Sequence, residues 1–169
     1  LDRIAAAIGG MKNVGMLNIP EIVEENHIGL PYYKNIDSRK FANMLAEKCG
    51  KEKEIIVNTV VAHYSSKEKF EEWLDESIKD YGIKNFVFVG QKINLIKYPG
   101  PSIAEANLIA KKKRINFGNI FIPERENEAE RLLGKTASGC GFFTSQILFE
   151  AEKAVNAIKE YSIKCKSSN

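Results

Sequence analysis

Residues 55–89 read IIVNTVVAHYSSKEKFEEWLDESIKDYGIKNFVFV, and this stretch decides the fold. Ile55-Ile56-Val57-Asn58-Thr59-Val60-Val61 is rich in β-branched residues and almost solidly apolar, as a strand covered on both faces requires. From Lys67 to Tyr81 the residues Phe70, Trp73, Leu74, Ile78 and Tyr81 recur at helical spacing among Glu and Lys, so the segment predicts an amphipathic helix. Gly82 follows where a left-handed cap is wanted, and Phe86-Val87-Phe88-Val89 is a second solid run. Strand, helix and strand in that order form the crossover unit of a parallel sheet.

The same unit recurs on both sides. Val14 to Ile19 reads as a first strand. Phe41, Met44, Leu45 and Cys49 mark a helix opened by Asp37 or Ser38 and closed at Gly50. Downstream come a helix over 102–113 behind Pro101-Ser102, a strand at Asn119-Ile120-Phe121-Ile122 and a helix near 126–138. A strand from Phe142 to Phe149 and a helix carrying Ala151, Ala154, Val155, Ile158 and Tyr161 complete the pattern. About five strand–helix repeats predict an α/β fold of (β/α)8 TIM-barrel type, incomplete in this chain. No linker divides it, so residues 1–163 are expected to form one barrel-type domain, with 164–169 a polar tail.

An open nucleotide-binding sheet is the competing architecture. It demands a glycine-rich turn after a strand, whereas the first strand runs into Asn18-Ile19-Pro20-Glu21 and no GxGxxG occurs. Every strand does end in a polar side chain: Glu21, His63, Gln91, Glu124, and Gln146 within the last run. Catalytic groups of a barrel sit at that rim, although strands also end in polar loops for no functional reason. A full barrel takes about 250 residues. The 169 here point to a fragment or to a barrel completed by a partner, and the absence of an initiator Met fits a start inside a longer product or behind a removed leader.

Composition narrows the function classes. The 25 Lys and Arg against 22 Asp and Glu leave a net charge of +3, too slight for a nucleic-acid-binding domain. Two histidines and three widely spaced cysteines (Cys49, Cys140, Cys165) supply neither a zinc site nor a disulfide framework, which suits a reducing cytoplasm. The opening LDRIAAAIGG lacks the basic leader of a secretion signal, and no apolar run approaches a membrane span.

Several motifs have a functional and a structural reading. Gly134-Lys135-Thr136 has the ending of a phosphate loop but sits in a helical pattern, with Ala129 where the first glycine belongs. Lys111-Lys112-Lys113-Arg114 suits phosphates, or simply a helix C-terminus. Tyr98-Pro99-Gly100-Pro101-Ser102 is a rigid turn that delivers a helix N-terminus to the strand-end face, either to meet an anionic or carbonyl group or merely to connect. His63 is a base or a hydrogen-bonded structural residue. Glu21, partly buried behind Pro20, suits a general acid, with Glu24, Glu25 and Glu124 as competitors. Gln146, in an apolar run, either reads a heterocycle or ties strands together.

As an ordered set, Ile19-Pro20-Glu21, Val60-Val61-Ala62-His63, Val87-Phe88-Val89-Gly90, Tyr98-Pro99-Gly100-Pro101-Ser102, Ile122-Pro123-Glu124-Arg125 and Gly141-Phe142-Phe143-Thr144-Ser145-Gln146-Ile147-Leu148-Phe149 resemble the methylenetetrahydrofolate reductase family. The similarity runs from about residue 14 to residue 161 and is closest to the atypical, mycobacterial-type branch. Its most specific piece is the final segment, with Glu128 to Lys135 leading into it.

The resemblance implies a cytoplasmic (β/α)8 oxidoreductase of one-carbon metabolism. It reduces 5,10-methylenetetrahydrofolate, or a related methylene-pterin, to the 5-methyl form by hydride transfer from NAD(P)H, in most members through FAD. Protonation opens the bridged folate to an N5-iminium, and hydride adds to the methylene carbon. The resemblance makes Glu21 the acid, places Gln146 with Phe142 and Phe143 against the pterin, and puts His63, Gln91, Tyr98, Gly100, Ser102 and Glu124 on the cofactor side. Gln91 stands where flavin-binding members carry aspartate, and the atypical branch is similar to enzymes working without tightly held flavin. The non-catalytic alternative is a pterin- or flavin-binding partial barrel, a subunit of a methyl-transfer complex or a homo-oligomer. A further one is a related barrel enzyme that hands the one-carbon unit to a different pterin carrier.

Overall fold

The computed structural model describes residues 1–29, 31–34, 36–50, 53–93 and 95–167. A short helix α1 (Asp2–Gly9) precedes β1 (Met16–Ile19) and a hairpin of β2 (Val23–Glu25) and β3 (Pro31–Lys34). Then α2 (Ser38–Cys49), β4 (Glu54–Val60), α3 (Lys67–Lys79), β5 (Asn85–Val89), α4 (Ile103–Lys112), β6 (Asn116–Phe121), α5 (Glu128–Ala137), β7 (Phe142–Ser145) and α6 (Ala151–Ser167) follow. A single 3-10 turn, Val61–His63, links β4 to the loop before α3.

The main sheet has five strands in the order β1-β4-β5-β6-β7, every pair parallel. Apart from the hairpin, that is chain order. Right-handed crossovers that always step in the same direction put every connecting helix on the same face, the winding of a barrel rather than of a doubly wound sheet. The expected α/β half-barrel is therefore present.

Strand periodicity sorts the two faces. Val57, Phe86 and Phe117 stand side by side in register, one row below Thr59, Phe88, Asn119 and Phe143. Phe86, Phe88 and Phe117 stack in a line, with ring centroids 6.4 and 5.4 Å apart, and Phe70 of α3 meets Phe88 edge-on at 5.3 Å. Ala42 and Leu45 of α2, Leu74 of α3, and Ala106 and Ala110 of α4 close over this layer. A reciprocal amide pair joins α4 to β6: Asn107 Nδ2 donates to Asn119 Oδ1 at 2.8 Å and Asn119 Nδ2 to Asn107 Oδ1 at 3.1 Å, with both residues fully buried. At the edge of this layer the Arg39 guanidinium bonds Asp37 and Glu76 and lies 4.4 Å over the Tyr81 ring.

The opposite face carries Asn58, Val87, Gly118 and Phe142 in one row. Gly118 is required there, because a Cβ would stand 2.5 Å from the Phe142 ring. An open groove on this side runs along Asn18, Asn58, Ile120 and Thr144 to the exposed Ile147 and Phe149, and no helical residue lines it.

Four expectations need correction. The first strand is shorter, and α1 and the β2–β3 hairpin were not foreseen. The last strand ends at Ser145 rather than Phe149: the final ladder bond, Gln146 N–H to Phe121 O, uses up the length of β6. Gln146 is thus exposed just past the strand instead of buried within it. The supposed tail is helical through Ser167, and Ser168 and Asn169 lie outside the described residues. Among the described residues no helix is long and apolar enough to cross a membrane.

The aromatic stack makes Phe88 the anchor of the core, so Phe88→Ala is expected to cost about 3–5 kcal/mol, read as a lower denaturation midpoint with little change in slope.

Candidate functional site

Parallel strands all end on the same side, so the residues after β1, β4, β5, β6 and β7 converge whatever their separation in sequence. They border a cavity of about 520 Å³. Five of the residues singled out from sequence line it: Glu21, Glu25, His63, Gln91 and Gln146.

Glu21 follows β1, whose register with β4 brings the carboxylate against the end of β4. Its Oε2 accepts the Thr59 hydroxyl at 3.0 Å and the Val60 N–H at 2.7 Å. The Thr59 and Tyr64 hydroxyls are 2.9 Å apart, which extends the chain inward. Burial pushes the Tyr64 hydroxyl pKa well up, and the nearby Glu21 charge pushes it the same way, so Tyr64 stays protonated.

Glu25 reaches the site from the hairpin. Its Oε1 lies 2.7 Å from His63 Nε2, and its Oε2 accepts the Tyr98 hydroxyl at 3.0 Å. The His63 and Glu25 side chains are only 9% and 7% exposed. A carboxylate on one ring nitrogen fixes the tautomer and leaves the other as the proton-accepting position. That nitrogen, His63 Nδ1, is buried and has no hydrogen-bond partner among the described residues. Both earlier readings of His63 thus meet here: it is hydrogen-bonded, and it lines the cavity.

Three expected cofactor contacts serve the scaffold instead. Gly100 N–H donates to Ala62 O at 3.2 Å, and a Cβ at Gly100 would stand 2.8 Å from that oxygen and closer still to Val61 O. The turn from Tyr98 to Ser102 is pressed onto the 3-10 turn and delivers Tyr98 to Glu25. Ser102 caps α4 in a reciprocal box: its hydroxyl accepts Glu105 N–H at 3.3 Å, while Glu105 Oε2 accepts Ser102 N–H at 2.9 Å. Lys67 pairs with the same carboxylate. Two N–H groups at that helix N-terminus, those of Ser102 and Glu105, are therefore already met by its own side chains.

Phe142 and Phe143 are neighbours on one strand and so point to opposite faces, Phe142 over Gly118 and Phe143 against Tyr161 of α6 at 6.1 Å. Neither borders the cavity, and neither do Tyr98, Ser102 and the exposed Glu124. Of the six residues expected to hold a cofactor, only His63 and Gln91 face the space.

Sequence reasoning missed Lys92, Arg125 and Lys135, which line the same cavity. Arg125 lies four residues past the end of β6, one beyond the Glu124 that was chosen. Lys135 was set aside as part of a spurious phosphate-loop match. Its ammonium donates to Ile120 O at 2.6 Å, and burial lowers its pKa against the raising effect of the Glu128 charge. Among the described residues no group of three or more His, Cys, Asp or Glu side chains is arranged to hold a metal.

No family model and no curated protein matches the sequence. Among solved structures, catalytic-site mutants of active domain 2 of a thermostable chitinase from Pyrococcus furiosus, complexed with chito-oligosaccharides, are similar in fold. The TM-score is 0.63 at 16% identity, over 98% of this chain and 60% of that one. At such identity the likeness is one of fold alone, and this chain spans three fifths of the matched length.

Two outcomes test the scaffold. Gly100→Ala is expected to cost about 2–3 kcal/mol in denaturant unfolding, since backbone stands where the methyl would go. The Lys67 contact and the Ser102 cap hold Glu105 down at about 2, from an ordinary 4.5. A carboxylate so depressed stabilises the fold above its unfolded value and loses that contribution as pH falls toward about 2. The stability gap between the wild type and Glu105→Gln should therefore close on acidification across that range.

Proposed function

We propose that the chain is the greater part of an eight-stranded (β/α) barrel that reduces a methylene-pterin to its methyl form, with hydride from NAD(P)H as a transient co-substrate. The observation that carries this reading is the convergence of Glu21, His63, Gln91 and Gln146, widely spaced in sequence, on one cavity at the strand ends.

The chemistry needs an acid at the pterin edge and a dry slot in which two flat rings stack. Glu21 suits the first role. In this reading the carboxyl, positioned through Oε2 by the Thr59 hydroxyl and the Val60 N–H, carries the proton that the reaction needs. From there it passes to the bridged pterin, the five-membered ring opens to the iminium, and hydride from the nicotinamide reaches the methylene carbon. Gln146 and Gln91 offer amides, with donor and acceptor on one group, to the lactam and amide edges of the two rings. Val60 and Val89 add apolar lining against which such a stack can pack.

A second reading rests on the groove of Asn18, Asn58, Ile120 and Thr144, which no helix covers. A partial barrel with that face open is suited to act as a pterin-binding subunit of a larger methyl-transfer assembly, or as a homo-oligomer, rather than as a lone enzyme.

Oxidation of NADH by the purified chain should depend on added methylenetetrahydrofolate. Glu21→Gln, which keeps both accepting contacts, should lower kcat by about 100-fold or more while thermal stability stays close to wild type. A fully active Glu21→Gln variant removes the residue from the acid role. An inactive wild type of single-chain mass in solution favours the subunit reading.

A further inference from the structure

The cavity has two walls of opposite charge, and they differ in how fully their charges are met. On the acidic wall Glu21 accepts from Thr59 and Val60, and Glu25 bonds His63 and Tyr98. The basic wall consists of Lys92 after β5, Arg125 after β6 and Lys135 from α5. Among the described residues the Arg125 guanidinium makes no hydrogen bond, since its one ion pair, to Glu128 Oε2, spans 3.8 Å. Two of the three N–H bonds of the Lys135 ammonium go to Ile120 O at 2.6 Å and Glu128 Oε1 at 3.4 Å. Lys92 has no ion pair among the described residues. Glu128, 1% exposed, is shared by Arg125 and Lys135, so one buried carboxylate stands behind two cations.

We infer that this basic wall is an anion-binding subsite for a phosphate or carboxylate group of the ligand. A guanidinium fork without a bonded acceptor matches either group in bidentate fashion, and a half-buried ammonium beside it gains more from an anion than an exposed one does. The amide of Gln146 borders the same space as a neutral donor. The identity of the anion rests on the reductase reading, in which both reactants carry one: the dinucleotide a diphosphate, the folate a carboxylate tail. The cationic character of the wall is independent of that reading.

The test is calorimetric titration of the whole chain in low salt with inorganic pyrophosphate and, separately, with glutarate, for the wild type, Arg125→Gln and Lys92→Gln. Arg125→Gln leaves Glu128 paired with Lys135, and Lys92→Gln removes a charge that has no ion pair among the described residues. At least one anion should bind, with affinity falling about tenfold in Arg125→Gln and by a smaller factor in Lys92→Gln, and with binding weakened by added salt. Preference for pyrophosphate assigns the wall to the dinucleotide, and preference for glutarate assigns it to the folate tail. Binding of neither anion, or equal binding by the wild type and both variants, overturns the subsite. Because titration needs no turnover, a chain that binds pyrophosphate through Arg125 yet never oxidises NADH keeps the subsite while the reductase reading falls. An active enzyme with no anion affinity gives the reverse result.

Discussion

The one-way winding of the sheet is the constraint on which everything else depends. Strands laid down in chain order by right-handed crossovers leave one face to the helices and one face open, and they bring every strand C-terminus to the same rim. The buried layer of Phe70, Phe86, Phe88 and Phe117 holds that arrangement, because each ring bridges strands or joins a strand to a helix. The site is a by-product of this geometry. Glu21 and Gln146 come from opposite ends of the chain, yet border one cavity because β1 and β7 run the same way.

Within the cavity, satisfaction of charge distinguishes the residues better than their identity does. Glu21 and Glu25 are both glutamates at the rim. One is held by a hydroxyl and a backbone N–H of β4, the other by an imidazole and a phenol carried on the two turns that Gly100 locks together. Hydrogen bonds of this kind cost little to make and much to leave unmade, so they fix each carboxylate in place without further packing. His63 is the exception: its buried Nδ1 has no partner among the described residues.

The strand–helix alternation, the start of α3 and the left-handed turn at Gly82 were legible, and Asp37 was one of the two caps read for α2, since each rests on local periodicity or backbone conformation; α3 ends at Lys79, two residues before the expected Tyr81. The site was half legible. The strand-end rule named Glu21, His63, Gln91 and Gln146, but a rule about position cannot say which way Phe142 and Phe143 face, and strand alternation separates them. It also cannot say that Glu105 turns back to accept the Ser102 N–H at the start of α4. The hairpin escaped notice for want of an Asn-Gly turn, although Asn26 accepting Ile28 N–H and a left-handed Gly29 do the same work. Lys135 was hidden because its role depends on α5 lying against β6, a tertiary fact.

The hairpin that carries Glu25 shares no ladder with the main sheet. The two are joined through side chains instead, Glu25 to His63 and Tyr98, so a change within the hairpin can displace that carboxylate while the five-strand register stays as it is. The bend at Gly29 is constrained in turn: a Cβ there would stand 2.8 Å from the Tyr98 ring, so the backbone of the hairpin is shaped around the same phenol that holds its carboxylate.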